Sequence, residues 1–236
     1  QCQLAPPSIS GGESDYWSVD PRLPDGISLL ADGSIDGSPT QLGDSNHTIT
    51  ISNEGGSVET AIRIIVLHEA PMGLGYGGNR FILSIGDDVQ VVPITTGGRI
   101  VSWSVEPPLP DGLQLLQADG SIRGSPTTVQ ALTPHRVTAT NTGGSISVDV
   151  LISVVDIPVS NLIYTPDEHD LTIGDEISVT PTHSGGIPDS WYIEPELPSG
   201  FTFDSTNGTI SGTATDLQID WSSFIIWANN TGGSTS

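Results

Sequence analysis

Acidic residues are concentrated in one short part of the sequence, where their carboxylates could bind a metal ion. The run PDEHD at 166–170 is followed closely by GDE at 174–176. Oxygen clusters of this kind suit hard cations such as Ca²⁺, although acidic runs are more often solvated loops. We expect no resident cofactor, with calcium at these loops as the alternative. The candidate calcium ligands are Asp167, Glu168, Asp170, Asp175 and Glu176.

Histidines and possible nucleophiles form no recognisable catalytic or zinc-binding pattern. The histidines show no pair at the spacing of helical metal ligands. No nucleophile can be assigned a neighbouring base and an orienting acid. We therefore predict that the chain is not an enzyme. The histidines are His47, His68, His135, His169 and His183.

The segment GLGYGG at 73–78 matches the glycine pattern of dinucleotide-binding loops. Such a loop needs a strand before it and a helix after it, so that backbone amides face the pyrophosphate. Here Pro71 precedes the glycines and the strand-like RFILSI follows them. The pattern therefore predicts a flexible link between two domains and no nucleotide site.

Covalent modification is conceivable at a few positions. The N-x-S/T pattern occurs at Asn46, Asn207 and Asn229, and it is a glycan acceptor in chains that pass through a glycosylating secretory route. We expect Asn46 and Asn207 in turns. Cys2 is the only cysteine, so no disulfide can form within the chain.

The charge balance excludes several classes of partner. The formal net charge is −22, and all six basic residues are arginine. Such a surface repels nucleic acid and anionic lipid, and it suits extracellular or saline water. Apolar stretches such as VDVLISVV at 148–155 are far shorter than the roughly 20 residues that span a bilayer. We expect neither nucleic-acid binding nor membrane insertion.

A long motif is written three times along the chain. Its copies are LPDGISLLADGSIDGSPT at 23–40, LPDGLQLLQADGSIRGSPT at 109–127 and the looser LPSGFTFDSTNGTISGTAT at 197–215. A tryptophan stands nine residues before the glycine of each LPxG element, in the pairs Trp17 and Gly26, Trp103 and Gly112, and Trp191 and Gly200. Each period closes with a related turn, SNEGGS at 52–57, TNTGGS at 140–145 or NNTGGS at 229–234. Each period is therefore one small domain.

Within one period, short apolar runs alternate with turn signals and no helical periodicity occurs. The 28 glycines and 18 prolines favour strands joined by tight turns, which is typical of a β-sandwich. We expect the repeated glycines of LPxG to adopt positive φ, and Ile35 and Ile122 to point into the core. Strands of the second period are predicted near 80–85, 88–93, 99–105, 113–116, 121–123, 134–140 and 145–154.

The tryptophan, LPxG, DGSI, G-S/T-P/A-T and N-x-GGS elements together resemble the tandem immunoglobulin-like repeat family, which is related to the dystroglycan-type cadherin-like domains. The resemblance covers the whole chain. It implies all-β immunoglobulin-like sandwiches in extracellular surface proteins, used as spacers, adhesive modules or fibre elements without enzyme activity. The cadherin-like relatives often end in an acidic calcium-binding turn, whereas these periods end in Gly-Gly-Ser.

The phase of the repeats suggests incomplete sandwiches at both ends. We expect domains at 1–70, 71–157 and 158–236, the first without its first strand and the last without its final strand. A sandwich that lacks an edge strand exposes backbone groups and part of its core. Three explanations stay open: a window from a longer array, a strand supplied by a neighbouring chain, or a different terminal fold.

One face of the third period is unusually apolar. Where the earlier periods place Ser, Thr or Arg facing outward, the third places Tyr192, Ile225 and Trp227. In a sandwich these residues lie on one sheet and form one patch, which usually marks an interface. Contact with another chain, contact within this chain and a misread register are the alternatives.

These features favour a structural role outside the cell. We expect a subunit of a surface fibre, pilus-like filament or stalk that self-associates, with strand complementation as one means of joining. The alternatives are an adhesin module that binds carbohydrate or a host surface, and spacer domains of a larger secreted protein.

Overall fold

Residues 2–217 and 220–236 are described by a computed structural model, in which all regular secondary structure is β-strand. The three sequence periods are called the first, second and third repeats below. Strands of the first repeat are β1 (Cys2–Leu4), β2 (Tyr16–Asp20), β3 (Ile27–Leu29), β4 (Ile35–Gly37), β5 (Gly43–Asn53) and β6 (Gly56–Val66).

The second and third repeats contain the remaining strands. Those of the second repeat are β7 (Pro71–Gly75), β8 (Arg80–Ser84), β9 (Val89–Val91), β10 (Ile94–Gly97), β11 (Ser102–Glu106), β12 (Leu113–Leu115), β13 (Ile122–Gly124), β14 (Gln130–Asn141) and β15 (Gly144–Val155). Those of the third are β16 (Val159–Ile163), β17 (Glu176–Val179), β18 (Thr182–Gly185), β19 (Ser190–Glu194), β20 (Phe201–Phe203), β21 (Ile210–Thr213), β22 (Ile225–Asn230) and β23 (Gly233–Thr235).

Each repeat contains two main sheets with equivalent strand orders. The sheet that carries the repeated motif runs β1–β4–β3, β9–β13–β12 and β17–β21–β20 in the three repeats. The sheet that carries the repeated tryptophan runs β2–β5–β6, β11–β14–β15–β8 and β19–β22–β23. Two small pairs, β7–β10 and β16–β18, complete the second and third repeats.

The folded chain divides into two compact units. One contains the residues up to Gly73 together with 96–101 and 140–146, and the other contains the remaining described residues. The predicted all-β class with immunoglobulin-like sandwiches is confirmed. No described residue belongs to a helix long and apolar enough to cross a membrane.

The repeated motif has the geometry that its residues predict. Gly26 and Gly112 have φ of 89° and 90°, a region that L side chains rarely adopt. A Cβ at either glycine would also overlap a carbonyl oxygen, of Ser38 or Ser125 respectively. Glycine is required at these two turns for both reasons.

Hydrophobic residues of the motif lie in the cores as predicted. Ile35 is 3% exposed and Ile122 is 1% exposed. In the first repeat Ile35 packs with Leu23, Ile27 and Ile49. In the third, Trp191 packs with Val159 and Ala228. The motif thus builds the sandwiches and supplies no chemistry.

The predicted flexible link at 73–78 is wrong in its local structure. Residues 71–75 form β7, and Tyr76 is 1% exposed with its hydroxyl donating to the carbonyl oxygen of Gly120 at 2.5 Å. The third repeat repeats this arrangement, since the hydroxyl of Tyr164 donates to the carbonyl of Gly208 at 2.5 Å. The glycines that suggested flexibility instead permit a bend, because Gly73 has φ of 65°.

The buried tyrosines predict a loss of stability in alkali. Burial raises the pKa of Tyr164 to about 12. Burial, with a smaller contribution from the charge of Asp119, raises the pKa of Tyr76 still further. Since a free tyrosine titrates near about pH 10, the unfolded chain loses these protons first, and the free energy of unfolding falls as the pH rises from about 10 toward 12. We expect the double variant Tyr76→Phe and Tyr164→Phe to show a shallower fall in urea unfolding. Tyr16→Phe is the control, and equal slopes in all three proteins would contradict the prediction.

The tryptophan-bearing sheets differ in completeness. In the second repeat β8 pairs in parallel with β15, in a register that runs from Leu151 opposite Arg80 to Val155 opposite Ser84. Within residues 2–73, β6 has no equivalent neighbour on its outer side. Among the described residues of the third repeat, β22 is followed only by the short β23.

Candidate interaction surface

An aromatic pair lies on the outer face of the third repeat. Tyr192 on β19 stands directly opposite Trp227 on β22, and Glu194 stands opposite Ile225. The rings of Tyr192 and Trp227 have centroids 5.3 Å apart at an interplanar angle of 36°. We call Tyr192, Ile225 and Trp227 the aromatic face.

Two of the three residues of the aromatic face are exposed and Trp227 is partly buried, whereas their strand neighbours point inward. Tyr192 is 55% exposed and Ile225 is 53% exposed, and the alternating residues Trp191 and Ala228 are buried at 7% and 0%. The register inferred from alternation is therefore observed. The structure thus brings the three predicted face residues together.

The equivalent face of the second repeat is polar. Arg136, at the position of Ile225, donates to Asp149 through Nε at 2.8 Å. This hydrogen bond raises the pKa of Arg136 and lowers that of Asp149. At the position of Trp227, Thr138 shares a hydrogen bond of 2.9 Å with Ser147. In the first repeat the same two positions are Thr48 and Thr50, opposite Asp20 and Ser18. Apolar side chains stand at these two positions in the third repeat alone.

An open groove of about 440 Å³ lies beside Tyr192. It combines apolar walls with two carboxylates and a hydroxyl. Its lining includes Tyr192, Glu194, Pro195, Glu196, Phe203 and Ser205. The groove can therefore offer both a ring face and hydrogen-bond acceptors to a ligand.

The backbone of residues 68–70, called the linker below, is held by an asparagine of the repeated closing turn. Asn141 is 7% exposed, and its Nδ2 donates to the carbonyl oxygens of Glu69 at 2.7 Å and Arg99 at 3.1 Å. Its Oδ1 accepts from the backbone N–H of Gly143 at 2.8 Å. The backbone N–H of His68 donates to the hydroxyl of the adjacent Thr142 at 3.0 Å. We call this set of bonds the asparagine clasp.

The third repeat contains a second asparagine clasp. Asn230 donates to the carbonyl oxygens of Ile157 at 2.8 Å and Ile187 at 3.4 Å. The N–H of Asp156 donates to the hydroxyl of Thr231 at 2.8 Å. The signal that could have revealed the clasp is the asparagine at the same place in every closing turn.

Comparison with known families decides the classification. Residues 75–155 and 159–236 match the family described as "Putative Ig domain". The chain belongs to this family. Immunoglobulin-like (Ig) repeats of this kind are non-enzymatic, which confirms that the chain is not an enzyme.

Surface adhesins are among the relatives of these Ig repeats. The chain is 28% identical over 232 residues to the "Serine-rich adhesin for platelets" of Staphylococcus aureus strain N315, a match that covers 91% of this chain and 9% of the adhesin. The protein of the same name from strain MRSA252 is also 28% identical, with 16% of its length covered. The chain thus spans a small part of the curated relatives that it matches.

Solved structures of tandem Ig domains are also similar to the chain. The I-band fragment of titin aligns with a TM-score of 0.42 and 17% identity, covering 92% of this chain and 83% of the fragment. Extracellular domains 3–5 of Drosophila OTK align with a TM-score of 0.37 and 16% identity, covering 89% and 74%.

One residue of the acidic loops in the third Ig repeat, Asp175, has a structural role. Asp175 accepts from the N–H of Thr172 at 2.8 Å, just as Asp87 accepts from Ser84 at 2.7 Å in the second repeat. Among the residues that the structure describes, no three His, Cys, Asp or Glu side chains are placed to hold a metal ion. The other acidic candidates, Asp167, Glu168, Asp170 and Glu176, are exposed.

The glycan-acceptor asparagines lie in different settings. Asn207 lies in an exposed turn as predicted. The prediction of a turn at Asn46 is wrong, because this residue lies within β5 opposite Arg63. Asn229 lies on β22 opposite Ser190, next to the aromatic face. The side chain of Cys2 lies outside what the structure describes.

Two of the histidines are buried structural residues. His47 and His135 are 3% and 1% exposed. Their Nδ1 atoms lie 2.8 Å from the carbonyl of Pro21 and 3.1 Å from that of Pro107. A carbonyl can only accept, so both rings carry their proton on Nδ1. They hold the start of the motif against the long strand.

Proposed function

We propose that this chain is an extracellular, non-catalytic Ig-repeat region of a surface adhesin, and that its aromatic face contacts a second molecule. Membership of the Ig repeat family, the similarity to a staphylococcal adhesin and the acidic, lysine-free composition support this role. The observation that carries it is the Tyr192–Trp227 ring pair beside Ile225, in which Tyr192 and Ile225 are exposed and Trp227 is partly buried. Exposed aromatic clusters are typical of contact surfaces, where they bury much area with little loss of side-chain entropy.

The second molecule that we favour is another copy of the chain, in a head-to-tail fibre. Such subunits can be joined by strand addition, in which main-chain hydrogen bonds pair an edge strand of one copy with a strand of the next. The aromatic face would add side-chain burial to such an assembly.

Replacing the aromatic pair tests the contact. We expect the double variant Tyr192→Ser and Trp227→Ser to weaken self-association by at least about ten-fold, because it removes both rings of the face. Sedimentation velocity over a range of protein concentrations measures this. Ile94→Ser, at a residue 66% exposed in the second repeat, is the matched control. Unchanged self-association in the double variant would contradict a copy-to-copy contact through this face.

A second candidate function is binding of carbohydrate on a host surface. The groove beside Tyr192 favours it, because a sugar ring stacks on an aromatic face while carboxylates such as Glu194 and Glu196 accept from its hydroxyls. In that case the protein stays monomeric in sedimentation, and a glycan array detects binding that the same double variant loses.

A further inference from the structure

One edge of the tryptophan-bearing sheet is covered by a side chain in the second repeat. β11 is the outermost strand of that sheet, so alternate residues direct their backbone N–H and C=O away from the neighbouring strand. At Trp103 both groups are bonded by Gln117. The N–H of Trp103 donates to Oε1 of Gln117 at 3.2 Å, and Nε2 of Gln117 donates to the carbonyl of Trp103 at 2.8 Å. We call this pair of bonds the glutamine cap.

The loop that carries the glutamine cap has a close counterpart in the third repeat. After β12, the N–H of Leu116 donates to the carbonyl of Ser121 at 2.8 Å. After β20, the N–H of Asp204 donates to the carbonyl of Thr209 at 2.8 Å. The equal spacing places Ser205 where the second repeat has its capping glutamine. A serine has one short hydroxyl and no carboxamide, so it cannot bond both backbone groups of a strand residue.

The backbone of Trp191 is therefore open at the edge of β19. This strand pairs with β22 alone in its sheet, as β11 pairs with β14 alone. Apart from the sheet pairing, no hydrogen bond to the N–H or carbonyl of Trp191 occurs within residues 2–217 and 220–236. Trp191 and Ser205 both line the groove beside Tyr192. The groove thus leads to a donor and an acceptor of the kind that the glutamine cap satisfies in the second repeat.

Carboxylates flank this opening. Glu194 and Glu196 line the same groove, and neither forms an ion pair within the described part of the chain. The side chain of Tyr192, also in the lining, is 55% exposed. An arginine guanidinium pairs with carboxylates and stacks on aromatic rings. The first repeat has Arg22 at the place of Glu196, so this attraction for a cation is specific to the third repeat.

We propose that the groove binds a glutamine side chain of a partner protein, with an arginine next to that glutamine. The carboxamide reproduces the glutamine cap: its oxygen accepts from the N–H of Trp191, and its nitrogen donates to the carbonyl of Trp191. The neighbouring arginine pairs with Glu194 and Glu196. A primary carboxamide presents both groups on one edge, whereas a trans peptide unit or an N-acetyl group directs them to opposite sides. The proposal deepens the adhesin role given above, and it depends on the edge of β19 and not on the aromatic face.

Backbone amide resonances report binding at this edge directly. The probe is the peptide acetyl-Ser-Gln-Arg-Ser-methylamide, titrated into the full isotope-labelled chain. We expect saturable shifts of the Trp191 N–H resonance. A peptide with methionine in place of glutamine keeps the side-chain length, and it is expected to bind at least about ten-fold more weakly because it can make neither bond. Alanine in place of arginine is expected to weaken binding about three-fold, and less at high salt.

A variant that installs the glutamine cap in the third repeat tests the same edge from the protein side. Ser205→Gln is expected to weaken peptide binding by at least about ten-fold, because its own carboxamide competes for Trp191 at high effective concentration. Slower hydrogen exchange of the Trp191 N–H verifies that the new cap forms. Ser205→Ala leaves the edge open, and it is the matched control with unchanged binding.

Three results would overturn the proposal. They are no shift at Trp191, equal binding of the methionine peptide, and undiminished binding by the Ser205→Gln variant when its Trp191 N–H is protected. The methionine peptide decides the question without any change to the protein. Ser205→Gln leaves the aromatic face intact, so self-association in sedimentation stays as in the wild-type chain. Failure of peptide binding is thereby distinguished from failure of the copy-to-copy contact.

Discussion

Replacing Gly143 by alanine is expected to destabilise the second repeat by about 3 kcal/mol, because the added methyl has no space. It would overlap the carbonyl oxygen of His68 and lie 3.0 Å from the backbone nitrogen of Ala70. The opposing backbone cannot retreat without loss of the bonds from His68 N–H to Thr142 at 3.0 Å and from Asn141 to Glu69 at 2.7 Å. The cost comes from contact alone, since Gly143 does not have positive φ.

Gly55→Ala is the matched control in the first repeat. Its Cβ would approach only Oδ1 of Asn53, at 3.2 Å, so we expect a change within about 1 kcal/mol. Denaturant unfolding gives the free energies, and hydrogen exchange read by mass spectrometry assigns them to individual repeats. Faster exchange at residues 68–76 in the Gly143 variant is expected. Equal losses in the free energy of unfolding for Gly55→Ala and Gly143→Ala would contradict a close contact between Gly143 and the backbone of residues 68–70.

The sequence predicted those features that depend on local chemistry repeated in every period. Positive φ at Gly26 and Gly112 could be predicted because each ends a Leu-Pro-Asp-Gly turn and precedes an apolar strand. The aromatic face was also predictable, because alternation along a strand fixes which side of a sheet each residue faces. Comparison of equivalent strands then placed Tyr192 and Trp227 together.

The features that the sequence did not predict depend on distant partners. Residues 73–78 have the composition of a flexible linker, yet Tyr76 is buried with its hydroxyl donating to the carbonyl of Gly120, 44 residues away in sequence. The role of Asn141 likewise depends on Glu69 and Arg99, which are far away in sequence. Neither local propensity nor periodicity contains that information.

The asparagine of the closing turn is buried to different extents in the first and second repeats. Asn141 is buried and makes two bonds through Nδ2, whereas Asn53 is more exposed and bonds to Glu13. The asparagine stands at the same place in both closing turns, so the difference comes from the backbone near residues 68–70, which lies over the turn of Asn141. Burial of this side chain therefore depends on the segment that packs against its turn.

Alanine substitution of equivalent isoleucines tests how coverage by a neighbouring strand affects the stability of the core. Ile152 on β15 stands in register with Phe81 of β8 and is 1% exposed. We expect Ile152→Ala to cost about 4 kcal/mol, the upper part of the range for a fully buried site that leaves a cavity. Ile64 on β6 occupies the same position in the first repeat and is partly exposed. We expect Ile64→Ala to cost about 2 kcal/mol, because less apolar area returns to water and solvent can enter the space.

Urea unfolding of the two variants and of the wild-type chain measures these costs, and hydrogen exchange read by mass spectrometry assigns them to the first or the second repeat. The larger cost at Ile152 is expected because β8 lies beside β15, whereas β6 has no such neighbour among residues 2–73. Equal costs at Ile64 and Ile152 would contradict a contribution of β8 to the burial of Ile152.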